Sequence, residues 1–350
     1  MSLYIVGFLI SLVASLCSVP FVKEIAVKFG IVDQPSNRKI HMKQMPRLGG
    51  LAIILGFFAG FLYISPTNPY LMPIILGACI IIVIGILDDK FTLSYKIKLA
   101  GQVAAAAIVV FSGLTVEFIY LPMLHRVELG MLEYIFTMLW IIGITNAVNL
   151  IDGLDGLASG VSTIALAAIL FMAIINGQMF VATVTLLLMA STLGFLVFNF
   201  YPAKIFMGDT GSLFLGYFIS IISILGFFKS FTLVSFIIPI LILSIPIFDT
   251  YFAIIRRLLN KQKITAPDRS HLHHCLLQLG FSHRTTVLII YGMGAFFGIS
   301  AIIFSNTTLW VSFLIIGLIL LLVHITAEFI GLIGQKRPLI TMIKRLTSRS

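Results

Sequence analysis

The chain has 350 residues, of which 59% are hydrophobic and only 10% charged, with a formal net charge of +10. Soluble domains run near ~45–50% apolar and ~25% charged, so an ordinary soluble protein is excluded. Cys17, Cys79 and Cys275 follow no pairing pattern, which argues against a disulfide framework or a zinc site.

Windows of about 20 apolar residues predict eleven membrane spans, at 2–22, 48–65, 70–87, 99–118, 130–149, 157–175, 178–200, 213–229, 233–255, 286–304 and 308–330. The expected fold is an all-α polytopic bundle, a single integral-membrane domain over 1–350. The first basic residue, Lys23, follows the first apolar run instead of preceding it, so no cleaved signal peptide is expected. With the amino terminus outside, 21 of the 23 Lys and Arg fall on the inner side and only Arg126 and Lys229 outside. That asymmetry satisfies the positive-inside rule and accounts for the net charge without nucleic acid. The basic tail "GQKRPLITMIKRLTSRS" is then cytoplasmic, against anionic headgroups. All eight aspartates fall in inner loops or near inner helix ends. One site at the inner face is expected from the loops 23–47, 88–98, 150–156, 201–212 and 256–285.

The first inner loop, "VDQPSNRKIHMKQMPRLGG", brings Arg38, Lys39, His41 and Arg47 to the same side, either as orientation signal alone or as cations for the site. Next comes "GILDDKFTLSYKIKLAGQ", in which Asp88 and Asp89 form a repulsive carboxylate pair unless cations compensate. Lys90, Lys96 and Lys98 offer local compensation; a divalent metal would satisfy the pair better.

Between two wholly uncharged runs lies "NAVNLIDGLDGLASG". Asn146, Asn149, Asp152 and Asp155 recur every three residues, so on a helix they drift by about 60° per step and descend one side. The ordinary explanation is an inner loop whose Asx residues cap the next helix, with Gly153, Gly156 and Gly160 serving turns or close packing. Four polar residues in register, two of them in or against an apolar span where burial is costly, favour a functional stripe.

In "FNFYPAKIFMGDTGSLFLGY", Asp209 stands between Gly208 and Gly211 just before an apolar helix. Small residues there let backbone amides approach an anion and a carboxylate reach a metal; a helix N-cap is the plain alternative. Phe206 is either an interface aromatic or a surface for a base to stack on. The last motif, "ITAPDRSHLHHCLLQLGFSHR", sets Arg269 beside His271, His273 and His274. That spacing is not the zinc pattern of histidines four apart, and donors of this kind suit phosphate or sugar hydroxyls. For Asp249, near the inner end of the ninth span, pairing with Arg256 or Arg257 is the plain reading available. Carboxylates, cations and glycine turns on one face are what magnesium-dependent phosphate chemistry requires.

"LDDK", "NAVNLIDGLDGLASG", "FMGDTGS" and "PDRSHLHH", in this order among these spans, resemble the polyprenyl-phosphate N-acetylhexosamine-1-phosphate transferases over nearly the whole chain. The resemblance implies a multi-pass enzyme of the bacterial plasma membrane with its active site at the cytoplasmic face. It implies UDP-GlcNAc and undecaprenyl phosphate as substrates and magnesium as cofactor with manganese as its substitute; a second copy of the chain, as homodimer, is a candidate partner that the sequence leaves open. Asp209 would be the principal metal ligand, with Asp89 and Asp152 beside it. Asp88, Asp89, Asp152 and Asp155 would be the catalytic carboxylates, Asp88 handling the acceptor phosphate. Direct attack and a covalent aspartyl intermediate both satisfy the chemistry. Asn146, Asn149, Lys98, Phe206, Arg269, His271, His273 and His274 would bind substrate.

"HLHHC" and "PRLGG" depart from the three consecutive histidines and the "PTMGG" usual in the phospho-MurNAc-pentapeptide translocase of the same superfamily. They favour the UDP-GlcNAc branch, which starts teichoic acid or surface-polysaccharide synthesis. A secondary transporter would put carboxylates near the bilayer midplane and repeat its halves; neither feature is found in the sequence.

Overall fold

A computed structural model describes residues 2–33, 44–121, 125–228, 237–259, 261–262 and 271–305, with scattered positions from 311 to 328. Arg38, Lys39, His41, Asp268, Arg269 and most of the eleventh expected span lie outside them. The helices are α1 (Ser2–Lys28), α2 (Gly50–Ile64), α3 (Leu71–Phe91), α4 (Tyr95–Phe111), α5 (Leu132–Leu150) and α6 (Leu157–Ile175). They continue with α7 (Met179–Asn199), α8 (Gly208–Ser223), α9 (Ile237–Ile242), α10 (Ser244–Leu259), α11 (Leu272–Gln278) and α12 (His283–Ser305). Among the described residues, seven helical segments are long and apolar enough to cross a membrane.

The all-α expectation needs correction at two places. Val32–Asp33 (β1) pairs antiparallel with Met45–Pro46 (β2), and Phe118–Leu121 (β3) with His125–Glu128 (β4). The second hairpin ends the fourth span early: α4 stops at Phe111 and begins at Tyr95, so Lys98 lies on a helix. The inner loop expected at 88–98 narrows to residues 92–94, and Asp88 and Asp89 form the last turns of α3. The ninth span is broken between α9 and α10. Pro246, at the third position of α10, has no N–H to give the carbonyl of Ile242, and its ring would crowd that turn of a continuous helix.

At the centre stands α8, which packs against α2, α3, α5, α6 and α7, with every residue from Gly208 to Ser223 buried. Its small residues explain how. A Cβ on Gly85 of α3 would come within 2.5 Å of Thr210 Cα, and one on Gly216 within 2.7 Å of Thr145 Cα. Without a hydrophobic drive between helices in lipid, such backbone-to-backbone approach supplies van der Waals contact that larger side chains would prevent. Tyr217, fully buried, donates to the carbonyl of Ile74 at 2.9 Å.

Candidate active site

Four chain segments meet at the start of α8. The stretch following β2 is zipped to the one entering α8: Phe206 N donates to Pro46 O at 2.9 Å, Gly49 N to Phe206 O at 2.9 Å and Gly50 N to Met207 O at 2.8 Å. This carries Arg47, from the expected loop 23–47, to the site. Arg47 Nη2 lies 3.3 Å from Asp209 Oδ1, and Nε lies 3.7 Å from Asp89 Oδ1. Burial alone would lower the Arg47 pKa, but Asp89, Asp209, Asp33 and Asp152 outweigh it and the net shift is upward.

Lys98, one turn into α4, puts Nζ 3.1 Å from Asp88 Oδ2 and in contact with Asp209 Oδ2. Asp88 also accepts from Leu93 N at 2.8 Å, which fixes the turn between α3 and α4. The adjacent Asp89 faces elsewhere. Its Oδ1 accepts from Asp209 N at 2.8 Å, and its Oδ2 from Thr210 N at 3.0 Å and Thr210 Oγ1 at 2.6 Å.

Of the polar stripe, only the upper half is helical, because α5 ends at Leu150. Residues 151–156 turn back on themselves, with Gly156 at φ +75°, so the four side chains do not share one face. Asn146 pairs with Gln102 of α4, donating Nδ2 to Oε1 at 2.5 Å. Asn149 donates to Ser212 Oγ of α8 at 2.8 Å. Asp152 is half-buried in the turn; burial first, then the charge of Asp209, raise its pKa to about 7 against the pull of Arg47. Asp155 looks away to the 201–207 segment, accepting from Ala203 N at 2.9 Å, while its own N donates to His283 Nε2 at 3.1 Å. The glycines serve the close packing expected of them: a Cβ on Gly153 would meet His273 Nε2 at 2.5 Å, and Gly156 O accepts from Tyr291 Oη at 2.5 Å.

The histidine segment is the short helix α11 and its first flank. Asp249 of α10 holds it: Oδ2 lies 2.8 Å from His271 Nδ1, and Oδ1 accepts from Leu272 N at 2.7 Å. Asp249 thus ties α10 to α11. His273 is buried against Gly153, and its Nε2 has no hydrogen-bond partner among the described residues. Burial, then His274, hold its pKa down at about 3 despite the pull of Asp249. The His274 ring stands 4.2 Å from that of His273. Phe206 is half-buried beside the zipped segment.

The site thus gathers Arg47, Asp88, Asp89, Lys98, Asn149, Asp152 and Asp209, while α11 seats on the turn that carries Asp152. Asn146 and Asp155 brace the flanks. Arg47, Gln102, Thr210, Ser212 and His283 were not picked out as site residues from sequence; the "RLGG" and "GDTGS" glycines were the available signal for Arg47 and Thr210.

Asp88, Asp152 and Asp209 present hard carboxylate oxygens, the donor type magnesium prefers. Asp89 adds a fourth carboxylate against two cations, Arg47 and Lys98, so the cluster carries excess negative charge. Among the described residues no three ligand-type side chains are gathered closely enough to hold a metal. Of the expected set of Asp209, Asp89 and Asp152, Asp89 is turned toward the start of α8. The residues fit a metal held by one or two carboxylates, its shell completed by substrate phosphates and water.

Apolar spans packed around a buried carboxylate and cation cluster define a polytopic membrane protein with a charged internal site. Residues 71–227 match the family described as glycosyl transferase family 4. A relative from Bacillus subtilis (strain 168), named probable undecaprenyl-phosphate N-acetylglucosaminyl 1-phosphate transferase, is 54% identical over 349 residues, covering 99% of this chain and 98% of that protein. A decaprenyl-phosphate N-acetylglucosaminephosphotransferase of Mycolicibacterium smegmatis is 34% identical, over 81% of this chain and 79% of its own. An undecaprenyl-phosphate alpha-N-acetylglucosaminyl 1-phosphate transferase of Escherichia coli (strain K12) is 30% identical, over 77% and 75%. The chain belongs to glycosyl transferase family 4. It is an enzyme of the transferase kind.

Proposed function

We propose that the protein transfers GlcNAc-1-phosphate from UDP-GlcNAc to undecaprenyl phosphate, forming undecaprenyl diphosphate-GlcNAc and releasing UMP. An acceptor phosphate oxygen forms the new bond to the sugar-bearing β-phosphorus. The bond from that phosphorus to the bridging oxygen breaks, and the electron pair leaves with UMP. The observation that carries the reading is the contact of Asp209 with Lys98 and Arg47 beside Asp88, on a chain colinear with the named Bacillus relative.

Each residue's work follows from its position. Arg47 and Lys98 neutralise the donor diphosphate, and the rigid fork of Arg47 suits phosphate oxygens. Asp88, at the edge of the cluster, orients the acceptor phosphate. A phosphate monoester is already mostly dianionic at neutral pH, so positioning and charge neutralisation matter more than a strong base. Asp209, with Asp88 or Asp152, would hold magnesium, which neutralises charge on the phosphates when bound. Phe206 offers a face to the uracil, and His271, His273 and His274 with Arg269 meet the diphosphate or sugar. Eleven spans, an outer amino terminus and a site at the cytoplasmic face accord with the basic-residue asymmetry. The product's use in teichoic acid or another surface polysaccharide, and a homodimeric state, complete the proposal.

The test is purified protein with undecaprenyl phosphate, magnesium and, separately, UDP-GlcNAc, UDP-GalNAc or UDP-MurNAc-pentapeptide, following UMP release and lipid product. Turnover is expected with UDP-GlcNAc and not with UDP-MurNAc-pentapeptide. Efficient use of the latter moves the chain to the translocase branch, and no UMP from any donor sinks the proposal.

A further inference from the structure

Asp88 and Asp89 are neighbours in sequence yet differ in what they can reach. The Asp89 side chain has no solvent exposure, whereas those of Asp88 and Asp209 retain 8% and 12%. A carboxylate offers about four lone-pair directions. Three of those on Asp89 are taken by Asp209 N, Thr210 N and Thr210 Oγ1, all from the first turn of α8, and Arg47 Nε stands 3.7 Å from Oδ1. Gly208, at φ +70°, backs onto the same carboxylate closely enough that a Cβ there would lie 2.6 Å from both Asp89 oxygens. Asp89 is thus spent largely on α8, with its side chain closed to solvent.

What Asp89 does instead follows from a deficit in α8. The first N–H groups of a helix have no intrahelical acceptor and need a capping side chain. Met207, at the cap position of α8, provides none, and the helix start is wholly buried, so water cannot substitute. Asp89 supplies the missing cap from α3, and its negative charge sits at the positive end of the α8 dipole.

From this geometry we infer that Asp89 is a positioning residue: it caps α8 from a neighbouring helix and so fixes the backbone of Asp209 relative to Asp88. The paired aspartates divide the work. Asp88 faces the reacting groups, and Asp89, one residue on and about 100° around the helix, clamps the element that carries Asp209. The inference rests on the reading of Asp209 as metal ligand, and it assigns Asp89 no contact with metal or substrate.

The experiment compares the full-length protein with Asp89→Asn, Thr210→Val, Thr210→Ser, the Asp89→Asn/Thr210→Val double variant and Asp209→Asn, each purified monodisperse. Readouts are kcat and KM for UMP release, direct Mn2+ binding by electron paramagnetic resonance, and Tm. Asp89→Asn should lower kcat by about a hundredfold and weaken Mn2+ binding by about tenfold, with the KM for UDP-GlcNAc changed less. Thr210→Val should move the same quantities the same way, by about tenfold in kcat, and Thr210→Ser should restore them. The double variant should be no worse than Asp89→Asn alone, because both remove one interaction.

If Thr210→Val leaves kcat and Mn2+ binding untouched while Asp89→Asn abolishes both, Asp89 is a direct ligand and the inference fails. If Asp89→Asn lowers only Tm, with normal kcat and Mn2+ binding in the folded protein, the role is merely structural and the inference fails equally. Should Asp89→Asn not fold, the Thr210→Val and Thr210→Ser pair decides alone. Unchanged Mn2+ binding in Asp209→Asn would overturn the metal assignment, and the non-additivity of Asp89 and Thr210 in kcat would still decide the positioning role.

Discussion

His271 turns its Nδ1 to Asp249 at 2.8 Å, across the contact between α10 and α11. Because the Asp249 oxygen accepts, Nδ1 carries the hydrogen, and Nε2 is the atom left for a ligand. Asp249→Asn keeps an acceptor for Leu272 N but can set an NH2 group against His271 Nδ1, favouring the other tautomer. UMP release is expected to fall about tenfold to a hundredfold with a small change in Tm. Equal loss in Asp249→Asn and Asp249→Leu would show that packing alone matters, and wild-type rates in both would remove the pair from the functional account.

Gly208 and Gly30 have nearly the same backbone, at φ +70° and +69°. Around Gly30 a Cβ meets nothing within 4 Å, whereas at Gly208 it meets the oxygens of Asp89 at 2.6 Å. Gly30→Ala should therefore cost only the left-handed strain, about 1–2 kcal/mol, and leave activity intact. Gly208→Ala should cost more and abolish turnover by pushing α8 off its cap. Thermal unfolding and UMP release on the matched pair check this, and equal losses in both would contradict the packing described at Asp89.

His273 gives a pH signature. Its folded pKa of about 3 lies below the ordinary value of 6.5, so the folded protein holds the neutral ring while the unfolded chain takes up a proton first. The stability this contributes is fully present above pH 6.5 and is lost as pH falls from there toward about 3. At pH 4.5 the loss is on the order of 2 kcal/mol. His273→Gln should flatten the fall of Tm between pH 7 and 4.5. An unchanged slope would mean that the ring is not buried neutral.

The proposed orientation is testable at the two ends of α4. Thr92 and Ser112 are both exposed, before and after the helix. In a cysteine-free background and intact cells, Ser112→Cys should react with an impermeant thiol reagent and Thr92→Cys should react only after permeabilisation. The reverse pattern would place the site on the opposite face.

Many of the apolar spans and three of the motifs were legible because each rests on a local pattern: apolar runs, Asp-Asp, glycines around Asp209, the histidine segment. What the sequence concealed is pairing across distant segments. Arg47 reads as one more inner cation until Gly49 and Gly50 are found zipped to Phe206 and Met207. Asp89 reads as a twin of Asp88, because two adjacent carboxylates look alike until one is seen to cap another helix. The stripe from Asn146 to Asp155 has a helical period, but the turn at 151–156 breaks it, and a three-residue repeat does not reveal where a helix stops. The hairpin of β3 and β4 lies almost wholly between the fourth and fifth apolar windows, where hydropathy carries no signal of how the backbone pairs.

The burial of α8 on every side bears on how the bilayer can influence the enzyme. Helices α3 and α5 leave Leu76, Val83, Ile135 and Leu139 exposed, whereas α8 touches protein along its whole length from Gly208 to Ser223. Hydrophobic mismatch acts on surfaces that meet acyl chains, through tilt or local thinning, and it has no direct purchase on a helix shielded in this way. Asp209 is therefore insulated from membrane thickness. Lipid composition would act on the rate through the outer helices and through how a lipid acceptor arrives.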